Sequence, residues 1–438
     1  MSTTDKYTKC HLKMLVINLP LKEKSMVIVG NGCAGAECII ALRKSGYNGK
    51  IHLITDSRWP VSNPMLTTYY VGGKIGFDGL FPYGASQDFY LKYGVKVYTE
   101  SPVVALDAEK KVVYAKSGLE FRYNQCLIAT GATPFLPPVE GIGSDRVYTM
   151  RKVEDAIRLK DALAKIPPKV IIIGASMVGI KVVELFYEAG GKICLADLAQ
   201  HIFPLTAHPK CALVIEERLG RKGIKLRFGV EMEKVEETTR GVRVFFKDGT
   251  ETEEADILVM CTGVRANIGF IDRKQVAVDS GILVDGHMRT SMPGLYAAGD
   301  VAQGKNLLSG ESQIIGSWNN ARYQGRTAGR NMAGGNEFFP GNIPHHITHF
   351  MGMDFVSIGD VNGKDRMDKK NDGKRYIQLF WKEGLLTGAN FVDSYTESGA
   401  IKNALIKGLR NKGPILTGFL PVIQNQLIKN ILSEVEKA

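Results

Sequence analysis

Two sets of residues overlap between Val27 and Ile40, in the stretch VIVGNGCAGAECII. Cys33 and Cys38 stand in C-x4-C spacing, that of a redox-active dithiol. Gly30, Gly32 and Gly35 stand in G-x-G-x-x-G spacing, that of a turn cradling a dinucleotide phosphate. In the second chemistry the first glycine permits a tight turn from strand to helix. The second lets backbone N–H groups approach a pyrophosphate, and the third packs helix on strand. The helix N-terminus adds partial positive charge.

The flanking residues decide between them. SMVIVGNGCAGAECIIALRKSGYNGKIHLITD reads as a β-branched strand, a glycine turn, an apolar-periodic helix and a second apolar strand ending at Asp56. The same order recurs in PPKVIIIGASMVGIKVVELFYEAGGKICLAD, with Gly174, Ser176 and Gly179 at the turn and Asp197 at the end. Each copy then runs through alternating strands to a Thr-Gly ending, Ala129-Thr130-Gly131 in the first and Cys261-Thr262-Gly263 in the second. In the second, Asp248-Gly249 marks a hairpin turn. A lone glycine motif is weak, but a whole unit repeated with its acid is not, so two dinucleotide sites are expected. Asp56 and Asp197 would accept hydrogen bonds from ribose hydroxyls. No arginine follows Asp197 to pair a 2′-phosphate, which favours NADH over NADPH.

On a helix beginning at this turn, Cys33 and Cys38 point in very different directions at 3.6 residues per turn. A disulfide needs Cα atoms within about 7 Å and converging side chains. The two thiols therefore read as packing residues. Cys126, Cys194 and Cys261 fall in expected strands, Cys211 in a helix-like stretch and Cys10 in the N-terminal tail.

The 438 residues suffice for two or three domains, with 44% hydrophobic and 23% charged residues. The seven cysteines form no dense framework, and none has metal-site spacing. His345, His346 and His349 lack a nearby carboxylate or cysteine and read as a loop leading into a strand. No apolar run reaches the roughly 18 residues that cross a bilayer. The net charge of +11 is spread along the chain without a nucleic-acid motif and reads as a solvated basic surface. A cytoplasmic location is expected.

GNGCAG, ATGATP, GASMVG, CTGVRAN and TSMPGLYAAGDVA, in this order, resemble the pyridine nucleotide–disulfide oxidoreductase family. The resemblance covers about Ser25 to Gly335. It implies an α/β fold of two Rossmann-like domains, the FAD domain interrupted by the NAD domain, plus an α+β C-terminal domain. The expected boundaries are a tail at 1–24, FAD domain at 25–148 and 276–339, NAD domain at 149–275, and C-terminal domain at 340–438. Carried over residue by residue, Gly30, Gly32, Ala34, Gly35, Asp56, Asn63, Val104, Ala129, Thr130, Gly131, Gly299 and Asp300 would line FAD. Trp318, Asn319 and Ala321 would lie near the flavin. Gly174, Ser176, Met177, Gly179, Asp197, Gly263 and Val264 would hold NADH.

The stretch PVSNPMLTTYYVGGKI has no cysteine where disulfide reductases carry their pair. It is similar to the R-P-x-L-S pattern of rubredoxin and ferredoxin reductases and of nitrite reductase flavin portions, with Asn63 for Arg. Where the family usually has a glutamate on the NAD helix, this chain has Lys181. The expectation is a catalytic-site charge from Lys181 with Glu311 as its partner, against a solvent-facing Lys181.

The resemblance implies hydride transfer from NADH to FAD, which needs no side-chain acid or base of its own. Electrons would pass to an external acceptor, a small acidic redox protein of the rubredoxin or ferredoxin kind. Two alternatives stand beside it: an NADH oxidase using O2 or a small organic acceptor, and a flavoprotein subunit serving a partner in assembly or signalling. The C-terminal strands and amphipathic helices (SGAIKNALIKGLRNKG and PVIQNQLIKNILSEVEKA) would cover the flavin or form a homodimer contact.

Overall fold

The computed structural model describes residues 25–164, 168–252, 254–362 and 366–408, with Ile428 and Leu432. The N-terminal tail, most of the second C-terminal helix expectation and residues 409–413 of the first lie outside the described residues.

Strand β1 (Ser25–Val29), helix α1 (Cys33–Lys44) and strand β2 (Lys50–Ile54) form the first βαβ unit. The continuous apolar run of β1 is buried on both faces, as a central parallel strand requires. Helix α1 ends with Arg43 and Lys44 in its last turn, where cations favour the dipole. The sheet has five parallel strands in the order Leu295–Ala297, Gln125–Ile128, β1, β2, Val95–Tyr98. Its outermost strand returns from far downstream in the chain. A three-stranded antiparallel meander (Val103–Asp107, Val112–Ala115, Glu120–Arg122) stands between the parallel strands in sequence.

Strand β3 (Lys169–Ile173), helix α2 (Met177–Glu188) and strand β4 (Lys192–Asp197) repeat the unit. Here the parallel order is Lys225–Phe228, β4, β3, Ile257–Met260, Val147–Tyr148. The strand Val147–Tyr148 thus lies in the second sheet. Gly249 has φ +79° in the turn after Val242–Phe246, and its N–H donates to the Phe246 carbonyl.

Helix α3 (Trp318–Met332) follows the return strand and packs along α1. Gly325 and Gly329 permit this closeness, since a Cβ at either would collide with the α1 carbonyls of Ala34 and Cys38. A five-stranded antiparallel sheet then begins with β5 (His345–Phe350) and β6 (Met353–Gly359). His345, His346 and His349 all lie in β5, correcting the loop expectation; this is an edge strand, defined by its pairing with β6. Among the described residues, no three His, Cys, Asp or Glu side chains converge as metal ligands.

The C-terminal sheet shares its core with the second unit. Phe355 stacks on Phe203 with centroids 4.6 Å apart, and Arg218 pairs with Asp393.

Candidate functional site

At the end of β1 the chain turns through Gly30, whose φ of +110° suits glycine. A Cβ there would collide with the Ala129 carbonyl, and one at Gly35 with the Gly30 carbonyl. A Cβ at Gly32, by contrast, would meet nothing within 4 Å. The helix end is thus closed behind and open in front. Gly32 caps α1 without a side-chain hydrogen bond, which leaves the first-turn N–H groups available to an anion.

Other expected residues gather round this opening. Ala129 donates its N–H to the Val29 carbonyl at 2.7 Å, seating the Ala129–Gly131 segment beside the glycine turn. A Cβ on Gly299 would lie 3.3 Å from Ala34 and 3.7 Å from Ala321, so three residues distant in sequence meet. Trp318 opens α3, and its carbonyl receives the Cys33 thiol at 3.7 Å. Asn63 accepts the Met65 N–H at 3.0 Å, capping the turn at Pro64. The Thr130 hydroxyl is already engaged, donating to the Asn267 carbonyl at 2.9 Å. Val104 is 52% exposed in the meander.

The second turn follows the same plan. A Cβ at Gly174 would collide with the Cys261 carbonyl, and one at Gly179 with the Gly174 carbonyl. Cys261 donates to the Ile173 carbonyl at 2.7 Å, as Ala129 does to Val29. Ser176, standing where the first copy has Gly32, accepts the Gly179 N–H at 3.2 Å and donates to the Cys261 carbonyl at 2.9 Å. Gly263, with φ +96°, faces open space, and Val264 beside it is half exposed. Met177, partly buried, begins α2.

The two acids are not equivalent. Gly30 donates to Ile54 and Gly174 to Ala196, both at 2.8 Å, which aligns Asp197 with Thr55. Asp197 accepts the N–H groups of Ala175 at 2.6 Å and Ala199 at 2.8 Å and so braces its own turn. Asp56 lies one residue further on, exposed, and pairs with Lys152 at 2.9 Å. Asp300 pairs with Arg151 at 2.7 Å, both half-buried. The adjacent Arg151 and Lys152 were missed in the sequence; a basic pair directly ahead of an apolar-periodic helix was their only signal.

Among the described residues, the two thiols of the first glycine turn and its helix are not placed as a reactive pair. Cys33 and Cys38 are free and buried. Cys38 abuts the Met332 sulfur, whereas Cys33 sits 3.8 Å from the Tyr83 hydroxyl. Burial pushes the Cys33 thiol up to about 12, and Cys38 further in the same direction. Both stay neutral at physiological pH, and only a thiolate attacks a disulfide. The helical turn Thr67–Val71 after Asn63 offers hydroxyls and apolar groups only.

Lys181 corrects two expectations. It does not face solvent, and Glu311 is not its partner. Its ammonium bonds Glu184, one turn along α2, donates to the His349 carbonyl at 2.8 Å and lies 5.0 Å from the Tyr69 ring centre. Glu311 is exposed in the loop before the strand Ser312–Gln313. Glu184 also accepts the Met351 N–H at 3.0 Å and approaches Lys74 at 3.9 Å, while Lys74 holds Glu188 at 2.8 Å. Two cations and two carboxylates make the group neutral. The i, i+3 spacing of Lys181 and Glu184 was the available signal.

Comparison with known proteins agrees with this geometry. The family model of the pyridine nucleotide-disulphide oxidoreductases matches residues 24–325. The NADH-dependent phenylglyoxylate dehydrogenase subunit epsilon of Aromatoleum evansii is 28% identical over 88% of this chain and 92% of its own. The rubredoxin-NAD(+) reductase of Pseudomonas putida is 25% identical over 87% of this chain and 99% of its own. A crystal structure of the covalent putidaredoxin reductase–putidaredoxin complex superposes with a TM-score of 0.83, at 24% identity over 94% of this chain and 99% of that one, a likeness of fold. Two glycine turns of one plan, joined in one chain and matched across more than two thirds of its length, leave one assignment: the chain belongs to the pyridine nucleotide-disulphide oxidoreductase family and is an FAD- and NADH-dependent oxidoreductase.

Proposed function

We propose that the turn at Gly30–Gly35 holds the FAD pyrophosphate and that the turn at Gly174–Gly179 holds NADH. The open space before Gly32, backed by the collision-free fit of Gly30 against Ala129, is the observation that carries this reading. Ala34, Ala129, Gly131, Gly299, Asp300, Trp318 and Ala321 line the first site; Ser176, Met177, Asp197, Gly263 and Val264 line the second. Arg151 joins the first set through Asp300.

Bound FAD would take an electron pair as hydride from NADH and release single electrons, so that one NADH serves two one-electron acceptors and yields one proton. This chain's own residues bind, orient and exclude water. The Lys181–Glu184 pair, tied to β5 through the His349 carbonyl, sets the field beside the second turn.

The acceptor is a small acidic redox protein, supported by the neutral buried thiols, the net charge of +11 and the likeness to a rubredoxin reductase. The likeness to a dehydrogenase subunit favours a second reading, electron exchange with a partner subunit. A homodimer through the C-terminal sheet and a cytoplasmic location belong to the same proposal. No helix among the described residues is long and apolar enough to cross a membrane.

Stopped-flow reduction by NADH, followed by mixing with an acidic rubredoxin at several ionic strengths, tests the proposal. The expected result is fast flavin reduction and an acceptor step that slows as salt rises. An acceptor step flat in ionic strength would remove the acidic protein from the reading.

A further inference from the structure

Glu37, on the first turns of α1, is 2% exposed. Its carboxylate accepts from Arg322 Nε at 2.9 Å, from Arg326 Nε at 2.6 Å and Nη2 at 3.2 Å, and from the Tyr83 hydroxyl at 2.9 Å. One buried carboxylate therefore faces two guanidinium groups. Among the described residues neither arginine has a second acidic partner, so the cluster carries one unbalanced positive charge. Both arginines remain accessible, with side chains 40% and 39% exposed. Arg322 engages the carboxylate through Nε alone, which leaves its terminal fork free for a bidentate carboxylate.

The cluster adjoins the first nucleotide turn. The Tyr83 hydroxyl touches both Glu37 and the Cys33 thiol, and its ring lies 6.5 Å from that of Trp318 at the start of α3. Arg322 stands one turn beyond Trp318. The outer side of α3 adds Tyr323, 50% exposed and stacked on Phe339, with Phe338 63% exposed beside this segment. Exposed aromatics next to arginines with spare donors are the residue types that anchor protein interfaces.

We propose that this face of α3 is the docking surface for the electron acceptor, a small acidic redox protein whose carboxylate takes the free fork of Arg322 and neutralises the Arg322–Glu37–Arg326 cluster. The inference rests on the acceptor reading above. Each docking carries one electron out and no proton, so two dockings follow each NADH oxidised.

Two variants test it in the holoenzyme, with an acidic rubredoxin as probe. Arg322→Gln leaves Glu37 held by Arg326 and Tyr83. Tyr323→Glu adds a negative charge to the face without touching Glu37. At low ionic strength each raises the KM for rubredoxin about tenfold, the scale of one charge-assisted contact, and makes the salt dependence shallower. Flavin reduction by NADH and turnover with ferricyanide stay unchanged, and thermal melts confirm that both variants fold. Wild-type KM and salt slope in both variants would overturn this surface and leave the acceptor reading standing. A wild-type enzyme that reduces ferricyanide but not rubredoxin would overturn the acceptor reading itself.

Discussion

Lys181 and Glu184 carry opposite charges within one turn of α2, so neutralising either changes the charge of the cluster by one unit, in opposite directions. Under the proposed arrangement, which sets the flavin beside this pair, Lys181→Ala would lower its midpoint potential and Glu184→Gln would raise it. Each shift is on the order of 30 mV, about 1.4 kcal/mol for a two-electron couple. Spectroelectrochemical titration reads both, and shifts of one sign, or none, would place the pair away from the flavin. Glu37 behaves differently. Burial alone would raise its pKa, but the hydrogen bonds from Arg326, Arg322 and Tyr83 outweigh it and hold the carboxyl below 4.5. A depressed carboxylate contributes stability above its unfolded value that is lost as pH falls through the folded one. Acid melts therefore lose stability below about pH 4.5, and Glu37→Gln removes that part of the acid transition at a cost of about 3 kcal/mol near neutrality. Among single residues, Gly30, Gly35, Gly174 and Gly179 were legible because a Cβ at each would strike a backbone carbonyl, whereas Gly32 has no such collision and its counterpart is Ser176. The two acids were less so. Counting residues from the glycines placed Asp56 and Asp197 alike, whereas strand register separates them by one position.

The elements were legible wherever one period dominated. The buried β-branched runs of β1 and β3 and the helices after them followed from local sequence, as did the alternating strands of the C-terminal sheet. The polar start of β5 was misread as loop because an edge strand is specified by its neighbour more than by its own residues. The packing of α3 on α1 also escaped notice, although Gly325 and Gly329 stand four residues apart on one helix face. Gly325→Ala drives a methyl into the Ala34 carbonyl at the first cradle. It should cost about 1–3 kcal/mol and lower the flavin content of the purified protein, read by thermal denaturation and by absorbance. Gly399→Ala, in the helix Ser398–Ile406 where a Cβ meets nothing within 4 Å, is the counterpart. It should leave flavin content alone and stabilise by about 0.5–1 kcal/mol. Equal melting shifts in the two variants would mean that helix propensity, and not the α1–α3 approach, governs the first.

At the scale of the molecule, the interleaving of the two sheets was readable only because the chain repeats itself and then returns, through Leu295–Ala297, to its first sheet. The way the C-terminal sheet locks onto the second unit was not readable. Phe203 on Phe355, Arg218 on Asp393 and Lys181 on the His349 carbonyl are pairings between segments more than a hundred residues apart. Together they tie the strand and turn that face Lys181 to the helices that would carry NADH. The proposed direct transfer, with no sulfur relay, can be counted in electrons. Anaerobic titration of the purified yellow protein with NADH, followed at the flavin absorbance, measures how many reducing equivalents it stores. Full bleaching at one NADH per flavin, unaltered by Cys33→Ser, is the result expected of two dinucleotide sites in direct contact. A second equivalent taken up per flavin, and lost in that variant, would reveal a thiol pair between them and contradict it.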